Sequence, residues 1–447
     1  MRVRAAGDAA LLVQAEGLAH RLAAAITLAR ISGVLDVVPG ASTVLVITEP
    51  GRLDLDELAA RLLALPLPAA SPAASALTEI PVVYDGPDLA EVARLTGLSA
   101  DEVVARHLAR EYTVGWLGFS PGFGYLTGLD PVLATVPRLA EPRLRVPAGA
   151  VAIAGGLAAV YSSTSPGGWR LLGRTSAVLW DPDREPPAVF APGMKVRFRQ
   201  ADPATPRPAE IHDRGGLTTN MVINQPRSWI GGSAIEVIKP GPLATVQDLG
   251  RSGFGHLGVP HSGAADPASL RRANRLAGNP DGAAALELTL GRAEFRFLGQ
   301  AWVAVAGAPA VVTLHGPDAA ADSTDGATPS GAAFAVPPGG VVRVGSPAAG
   351  LRTYLAVRGG IDVPPVLGSR SADLRSGLGP APLRAGDVLP IGAAAEPTPG
   401  EPGPAGGLGP ADEQGPAGNP GRADEPDPAG NPGRAREPDP AGNPGPA

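Results

Sequence analysis

The sequence predicts a mainly β, α+β protein made of three folded regions and a disordered tail. Three observations carry this. Glycine and proline supply 60 and 51 of the 447 residues, a share typical of turn-rich β structure or of disorder. Most apolar runs are short and broken by those two residues, and few stretches place apolar side chains at helical spacing. The third observation is uneven placement: 26 of the 52 residues from Glu396 to Ala447 are Gly or Pro, and Leu408 is the only large apolar residue among them. A twelve-residue unit, Pro416 to Asp427, recurs there as Pro428 to Asp439. Such a segment cannot bury enough surface to offset its chain entropy, so residues 396–447 are expected to be disordered. A collagen-like triple helix would need Gly at every third position, and that period is absent.

Residues 1–76 read as a small α/β unit. Alternation over Ala10–Gln14 predicts a strand, and Leu18 to Ile31 carries apolar residues at helical spacing. Val34 to Gly40 and Thr43 to Ile47 predict two strands joined at Pro39-Gly40, and Leu55 to Leu63 a second amphipathic helix. The order β-α-β-β-α is that of a ferredoxin-like sandwich. Pro66 to Ala76 reads as a linker.

Residues 78–200 are predicted to be a second, β-rich domain. Glu79 to Tyr84 is a strand, followed by two short helices; the second has Ser99 as N-cap and Glu102 at N3, a capping box, and runs to about Glu111. Short strands broken by Gly and Pro follow up to Val196–Arg199, the pattern of a barrel or sandwich. A linker over 201–234 leads to a third region, 235–395, again mostly β with one clear helix from Pro267 to Leu276.

Composition excludes several classes. With no cysteine there are no disulfides, thiolate metal sites or Cys nucleophiles. A net charge of −6 gives no electrostatic footprint for nucleic acid. No run reaches 18 apolar residues, so no transmembrane helix and no membrane partner are expected. The start, Met1 to Asp8, lacks the apolar core of a signal peptide, so a cytoplasmic location is expected.

Several motifs invite a chemical reading. Gly118-Phe-Ser-Pro-Gly122 has the spacing of a nucleophile elbow, but the residue after Ser120 is Pro121, which has no N–H for an oxyanion hole, so a plain turn is expected. Gly253-Phe-Gly-His-Leu-Gly258 matches a dinucleotide fingerprint, yet no helix follows it. Lys195 after Met194 is read as a solvated lysine. His256 and His261 lie five apart in a loop without a carboxylate pair at helical spacing, so no metal site is expected. The stretch Pro142 to Thr175 is dense in Gly and Arg: Arg143, Arg145, Gly155, Gly156 and Arg174 combine close backbone approach with guanidinium forks suited to carboxylate or phosphate. The same residues also suit barrel turns with surface arginines. A second cluster offers an amide, two carboxylates, an arginine and a histidine in Gln247, Asp248, Arg251, His261 and Asp266. Turn and cap roles compete here, since Asp266 before Pro267 is a good N-cap.

These segments resemble a known pair of bacterial proteins. Residues 1–200 resemble the B-type subunit of 5-oxoprolinase, through Leu117 to Leu126, Pro142 to Gly149 and Ser165 to Trp169. The same family is described as carboxyltransferase-like or as a sensor-kinase inhibitor. Residues 235–391 resemble the C-type subunit of that enzyme through Gly241 to Arg251, Asn274 to Asn279, Leu286 to Gly291 and Tyr354 to Pro365. The chain therefore resembles a fusion of the two. The resemblance implies cyclophilin-like β folds for the second and third regions. It also implies a part in ATP-dependent opening of 5-oxoproline to glutamate, with Mg2+ accompanying the nucleotide. The partner it implies is a separate A-type 5-oxoprolinase protein, and it allows an oligomer. On that basis Arg143, Arg145 and Arg174 are expected to hold anionic groups, with Gly155 and Gly156 giving close backbone approach. His261 and Asp266 are the acid/base candidates, and Gln247, Asp248 and Arg251 are expected to position substrate. Two departures stand out. Relatives of the B type carry a Gly-Gly-Gln-Thr-Gly-like turn where this chain has Gly155-Gly-Leu-Ala-Ala-Val160. Relatives of the C type continue for about as long again past Leu383–Ile391, where the repetitive tail stands here. Two alternatives stay open: a biotin-dependent carboxyltransferase of the urea amidolyase type, and a non-catalytic sensor-kinase inhibitor.

Overall fold

The computed structural model describes residues 1–68, 77–202, 204, 233–316 and 331–393. The repetitive tail and most of both expected linkers lie outside the described residues. Among the described residues no helix is long and apolar enough to cross a membrane.

The first region contains β1 (Arg2–Ala5), β2 (Ala10–Gln14), α1 (Ala19–Ala29), β3 (Val34–Pro39), β4 (Thr43–Thr48) and α2 (Leu55–Ala64). Its sheet has the order β1-β2-β4-β3. β4 pairs antiparallel with both β2 and β3, so those two run parallel on either side of it, the split β-α-β of a ferredoxin-like unit. Its outer strand is the N-terminal β1, which periodicity does not reveal because Arg-Val-Arg-Ala offers one side chain to bury. Alternation decides the face: Leu11, Val13, Val44 and Val46 point inward and meet Leu22 and Ile26 of α1 and Leu58 and Leu62 of α2. Asp54 caps α2 by accepting from the Asp56 and Glu57 amides.

The second region contains β5 (Leu77–Val82), α3 (Leu89–Thr96), α4 (Ala100–Leu108), β6 (Glu111–Leu117), β7 (Gly124–Thr127), β8 (Arg143–Val146), β9 (Ala150–Ala154), β10 (Leu157–Val160), β11 (Ser165–Gly167), β12 (Arg170–Arg174) and β13 (Lys195–Gln200). The Ser99–Glu102 capping box opens α4 as expected, but the helix ends at Leu108 and Glu111 already belongs to β6. Seven strands form one sheet, β12-β9-β10-β7-β6-β13-β5, while β8 and β11 pair as a separate ribbon. The two ends of the sheet then meet. Val83 and Arg174 exchange backbone hydrogen bonds of 2.8 Å in both directions, and Gly86 and Asp88 donate to Leu172 and Leu171. The sheet thus closes almost completely into a barrel. Glycine permits this seam: a Cβ on Gly173 would stand 2.2 Å from the Val83 oxygen, and one on Gly86 2.3 Å from the Leu171 oxygen. Ile80, Val82, Tyr112, Val114, Leu126 and Ile153 are among the side chains filling the interior.

The third region contains β14 (Ala234–Lys239), β15 (Leu243–Gln247), α5 (Pro267–Ala277), β16 (Ala285–Thr289), β17 (Ala293–Phe297), β18 (Ala301–Gly307), β19 (Ala310–His315), β20 (Ala333–Val336), β21 (Val341–Pro347), β22 (Arg352–Val357) and β23 (Val388–Pro390). They form two five-stranded sheets, β19-β21-β17-β14-β23 and β15-β16-β22-β18-β20, around a shared core. The second sheet is covered on both faces. Val303, Val305, Leu355 and Val357 point to the core, while Ala304, Ala306, Tyr354 and Ala356 meet α5 through Leu270, Ala273 and Ala277. This two-sided burial is why Ala301–Ala306 and Tyr354–Val357 read as continuous apolar runs rather than alternating ones.

The regions interlock. Leu257, Val259 and Leu378 of the third enter the core of the second, and the Gly122 amide donates to the Leu257 oxygen at 2.9 Å. Asp36 of β3 accepts from the Gly253 and Gly255 amides. The Gly253–Gly258 spacing therefore serves packing: a Cβ on Gly255 would stand 2.6 Å from Val38, and one on Gly258 2.6 Å from the Ser120 oxygen.

Candidate active site: a cleft at the barrel seam

The seam places a cavity of about 450 Å³ beside the point of closure, lined in part by Asp85, Gly86, Arg143, Arg145, Leu171 and Arg174. Its size is that of a small-molecule site. Three of its side chains are the arginines singled out from the sequence. Arg143 and Arg145 stand two apart on β8, so strand alternation turns both to this side of the ribbon. Arg174 ends β12 and reaches the cavity because its backbone forms the seam.

Two aspartates that sequence reasoning missed set the geometry. Asp88, buried just before α3, accepts from Arg143 Nη2 at 2.7 Å and from the Leu171 amide at 2.7 Å. Asp85 accepts from Arg174 Nε at 2.8 Å. Neither carried a signal, because each becomes a partner only when the chain after β5 crosses β12. Of the charged side chains lining the cavity, three are guanidinium groups and one is a carboxylate. In a half-enclosed site such forks favour phosphate or carboxylate oxygens.

The remaining sequence candidates lie elsewhere. Gly155 and Gly156 make the β9–β10 turn at φ 55° and 83° and do not line the cleft. Gln247, Asp248 and Arg251 form a buried polar network. Arg251 is 2% exposed and donates to the Val366 and Ser371 carbonyls and to Ser262 Oγ. Ser262 in turn donates to Asp373 at 2.6 Å. Burial lowers the Arg251 pKa, with Asp248 and Asp373 opposing that. Asp248 accepts from Ser369 Oγ and the Gly250 and Arg370 amides, and Gln247 donates to the Ala372 carbonyl and to Thr245. The network ties the loop after β15 to the segment 366–373.

His261 is exposed, with Nδ1 3.3 Å from Ser252 Oγ. Asp266 caps α5, accepting from the Ser269 amide and hydroxyl; those bonds, the hydroxyl's first, hold its pKa below the usual carboxylate value. The two share no hydrogen bond, and neither lines the arginine cleft. His256 is solvent-exposed beside Asp36 and Gly253; partial desolvation by the neighbouring chain lowers its pKa, with Asp36 opposing. Lys195 donates to Thr113 Oγ1.

The Gly118–Gly122 segment is a turn, as expected, but a strained one. Ser120 N donates to the Gly118 oxygen at 2.8 Å around Phe119, whose φ is +70°. A bulky residue there costs about 1–3 kcal/mol. The turn is held by its neighbours: Ser162 Oγ donates to the Pro121 oxygen, and the Leu257 carbonyl receives the Gly122 amide. The Ser120 hydroxyl lies 3.4 Å from Ser162 Oγ and meets no base among the described residues.

Comparison with known proteins fits this architecture. The family model for the carboxyltransferase domain, subdomains C and D, matches residues 1–190, and that for subdomains A and B matches residues 257–424. The B-type subunit of 5-oxoprolinase from Escherichia coli O157:H7 is 46% identical over 169 residues, 37% of this chain and 77% of that protein. The C-type subunit from Escherichia coli K12 is 44% identical over 161 residues, 35% of this chain and 49% of that protein, so the chain spans about half of that relative. Urea amidolyase of Lachancea kluyveri is 38% identical over 176 residues, 38% of this chain and 9% of that protein. The crystal structure of TTHA0988 superposes with a TM-score of 0.73 at 37% identity, over 91% of this chain and 78% of that one. The chain belongs to the carboxyltransferase-domain family of the B-type and C-type 5-oxoprolinase subunits, and carries a B-like part followed by a C-like part on one polypeptide.

Proposed function

We propose that this protein is a component of an ATP-dependent 5-oxoprolinase, opening the lactam of 5-oxoproline to glutamate together with a separate A-type protein of that enzyme. The observation that carries the reading is the seam cleft, where Arg143, Arg145 and Arg174 converge on a cavity of ligand size in a chain related to both the B and C types. A lactam resists water because of amide resonance. Transfer of the nucleotide's γ-phosphoryl group to the lactam oxygen, with ADP leaving, makes the ring carbon a better electrophile; water then adds there, the ring C–N bond breaks and inorganic phosphate leaves, giving glutamate. The arginines are suited to hold the phosphate oxygens, and Asp85 and Asp88 to fix the guanidinium planes. Mg2+ accompanies the nucleotide in this reading.

The test is glutamate release from 5-oxoproline and ATP by this chain mixed with an A-type 5-oxoprolinase protein. Activity that needs both proteins supports the reading, and Arg174→Gln is expected to raise KM for ATP about tenfold or more. A folded sample that stays silent with a competent A-type protein would overturn it. The similarity to urea amidolyase favours one second reading, an anionic carboxylated substrate in the same cleft; carboxyl transfer without ATP-dependent glutamate release would select it.

A further inference from the structure

A pocket of about 300 Å³ opens at one end of the sheet β19-β21-β17-β14-β23, in the third region. Lys239, Arg292, Glu294, Val311, Thr313 and Arg343 line it, so three cations face one carboxylate in a chain whose net charge is −6. Glu294 is already engaged, its Oε2 lying 3.3 Å from Arg343 Nε. The Lys239 ammonium makes no hydrogen bond or ion pair among the described residues. Arg292 donates its Nε to Ser346 Oγ at 3.0 Å, and the terminal nitrogens of its fork meet no partner among the described residues. Two positive charges therefore stay uncompensated at the pocket wall.

Three backbone irregularities border this pocket. β14 pairs with β17 through a bulge that leaves Ile238 over. Val237 stands opposite Phe295 and points into the core, so strict alternation would carry Lys239 inward as well. The extra residue instead sets Lys239 opposite Glu294, on the outer face. β19 carries a second bulge at Val311, which is 67% exposed at the pocket's edge. Between β16 and β17, Leu290, Gly291 and Arg292 all take left-handed backbone, at φ 58°, 58° and 57°. Position 291 requires glycine, because a Cβ there would run into the Gly345 oxygen. Glycine at 292 would relieve strain, yet an arginine stands there with its guanidinium on the pocket. Strain of this kind gathers at ligand clamps.

We infer that this pocket is a second anion site, which takes the phosphate of a small organic phosphate monoester. A monoester carries close to two negative charges near neutral pH, matching the two uncompensated cations. Lys239 meets the phosphate as a point charge and Arg292 as a fork. Val311 and the Gly345 backbone give the carbon part of the ligand an apolar wall. The inference is independent of the function proposed above, since the pocket shares no residue with the seam cleft.

The chain has two lysines, Lys195 and Lys239, and this gives a direct test. The full chain is acetylated with an amine-selective reagent at constant ionic strength, and each lysine is followed by mass spectrometry. The probes are glycerol 3-phosphate, inorganic phosphate and acetate. A ligand at about ten times its Kd leaves about a tenth of the sites free, so glycerol 3-phosphate should slow Lys239 about tenfold. Lys195, which donates to Thr113 Oγ1, should react at its usual rate. Acetate should need about tenfold more concentration or above for the same effect. Arg292→Gly separates binding from packing: it removes the left-handed strain, so the urea midpoint should stay close to the parent's while protection of Lys239 weakens about tenfold. Arg174→Gln, which impairs the seam cleft, should leave the protection unchanged. No protection by either phosphate, protection that persists in Arg292→Gly, or protection that is lost in Arg174→Gln would overturn the site. Acetate as effective as phosphate would overturn the ligand class, and inorganic phosphate as effective as the monoester would overturn the organic ligand.

Discussion

Gly173→Ala should open the barrel. The added Cβ would stand 2.2 Å from the Val83 oxygen, where ordinary contact begins near 3.4 Å. Both atoms belong to rigid surroundings, so the seam must part by about 1.2 Å, the difference between those distances. That is enough to break the two 2.8 Å hydrogen bonds between Val83 and Arg174. At about 1 kcal/mol net for each lost bond, plus about 1–3 kcal/mol of overpacking, the loss is about 3–5 kcal/mol. Gly97→Ala supplies the contrast. Gly97 also tolerates no β-carbon without strain, at φ +70°, but nothing lies within 4 Å of the added atom. Its cost is the left-handed backbone alone, about 1–2 kcal/mol. Urea unfolding of the two variants reads the difference directly. A Gly173→Ala midpoint at or above that of Gly97→Ala would refute the argument that a backbone contact closes the barrel.

Three further outcomes are expected. His107 is fully buried among Tyr84, Tyr112 and Phe198, and burial pushes its pKa down to about 3. A histidine with a lowered folded pKa leaves stability intact above about 6.5 and erodes it as pH falls, by about 1.4 kcal/mol per unit. Unfolding free energies from urea titrations at pH 7.5 and pH 5 should therefore differ by about 2 kcal/mol more in the parent than in His107→Gln. Asp36→Ala removes the acceptor of the Gly253 and Gly255 amides and should cost about 2 kcal/mol, with faster proteolysis in the 251–260 loop; unchanged cleavage there would count against the clamp. Asp266→Ala should cost about 1 kcal/mol at pH 7 through the lost cap of α5. Because hydrogen bonds from Ser269 lower the Asp266 pKa, its contribution is present above the unfolded value near 4 and is lost below it, so the gap between variant and parent should close in acid.

The buried cluster around Arg251 shows why density of polar residues is weak evidence for catalysis. Gln247, Asp248 and Arg251 satisfy the sequence pattern of an acid/base face, and the structure engages the Arg251 and Gln247 donors and the Asp248 carboxylate with Ser262, Ser369, Thr245 and nearby carbonyls. A polar side chain on a loop fits either use until its neighbours are known. The two glycine motifs carry the same lesson: Gly118–Gly122 and Gly253–Gly258 meet across the interface, where Gly258 packs against Ser120 and Gly118, Gly255 against Val38 and Gly122 against Trp180.

Much of the architecture is local and so was legible in the sequence. Periodicity alone located α1, α2, β2 and β4; Ser99 and Glu102 located the start of α4, and Asp266-Pro267 the start of α5. Motif order identified the two family halves. Tertiary structure alone joined β5 to β12, brought Asp85 and Asp88 to the arginines, and drew five scattered aromatic residues around one cavity. Residues 55 and 89 positions apart gain partners only when a sheet closes on itself. Local pattern records which way a side chain points along its own strand, and ring closure decides what it meets there.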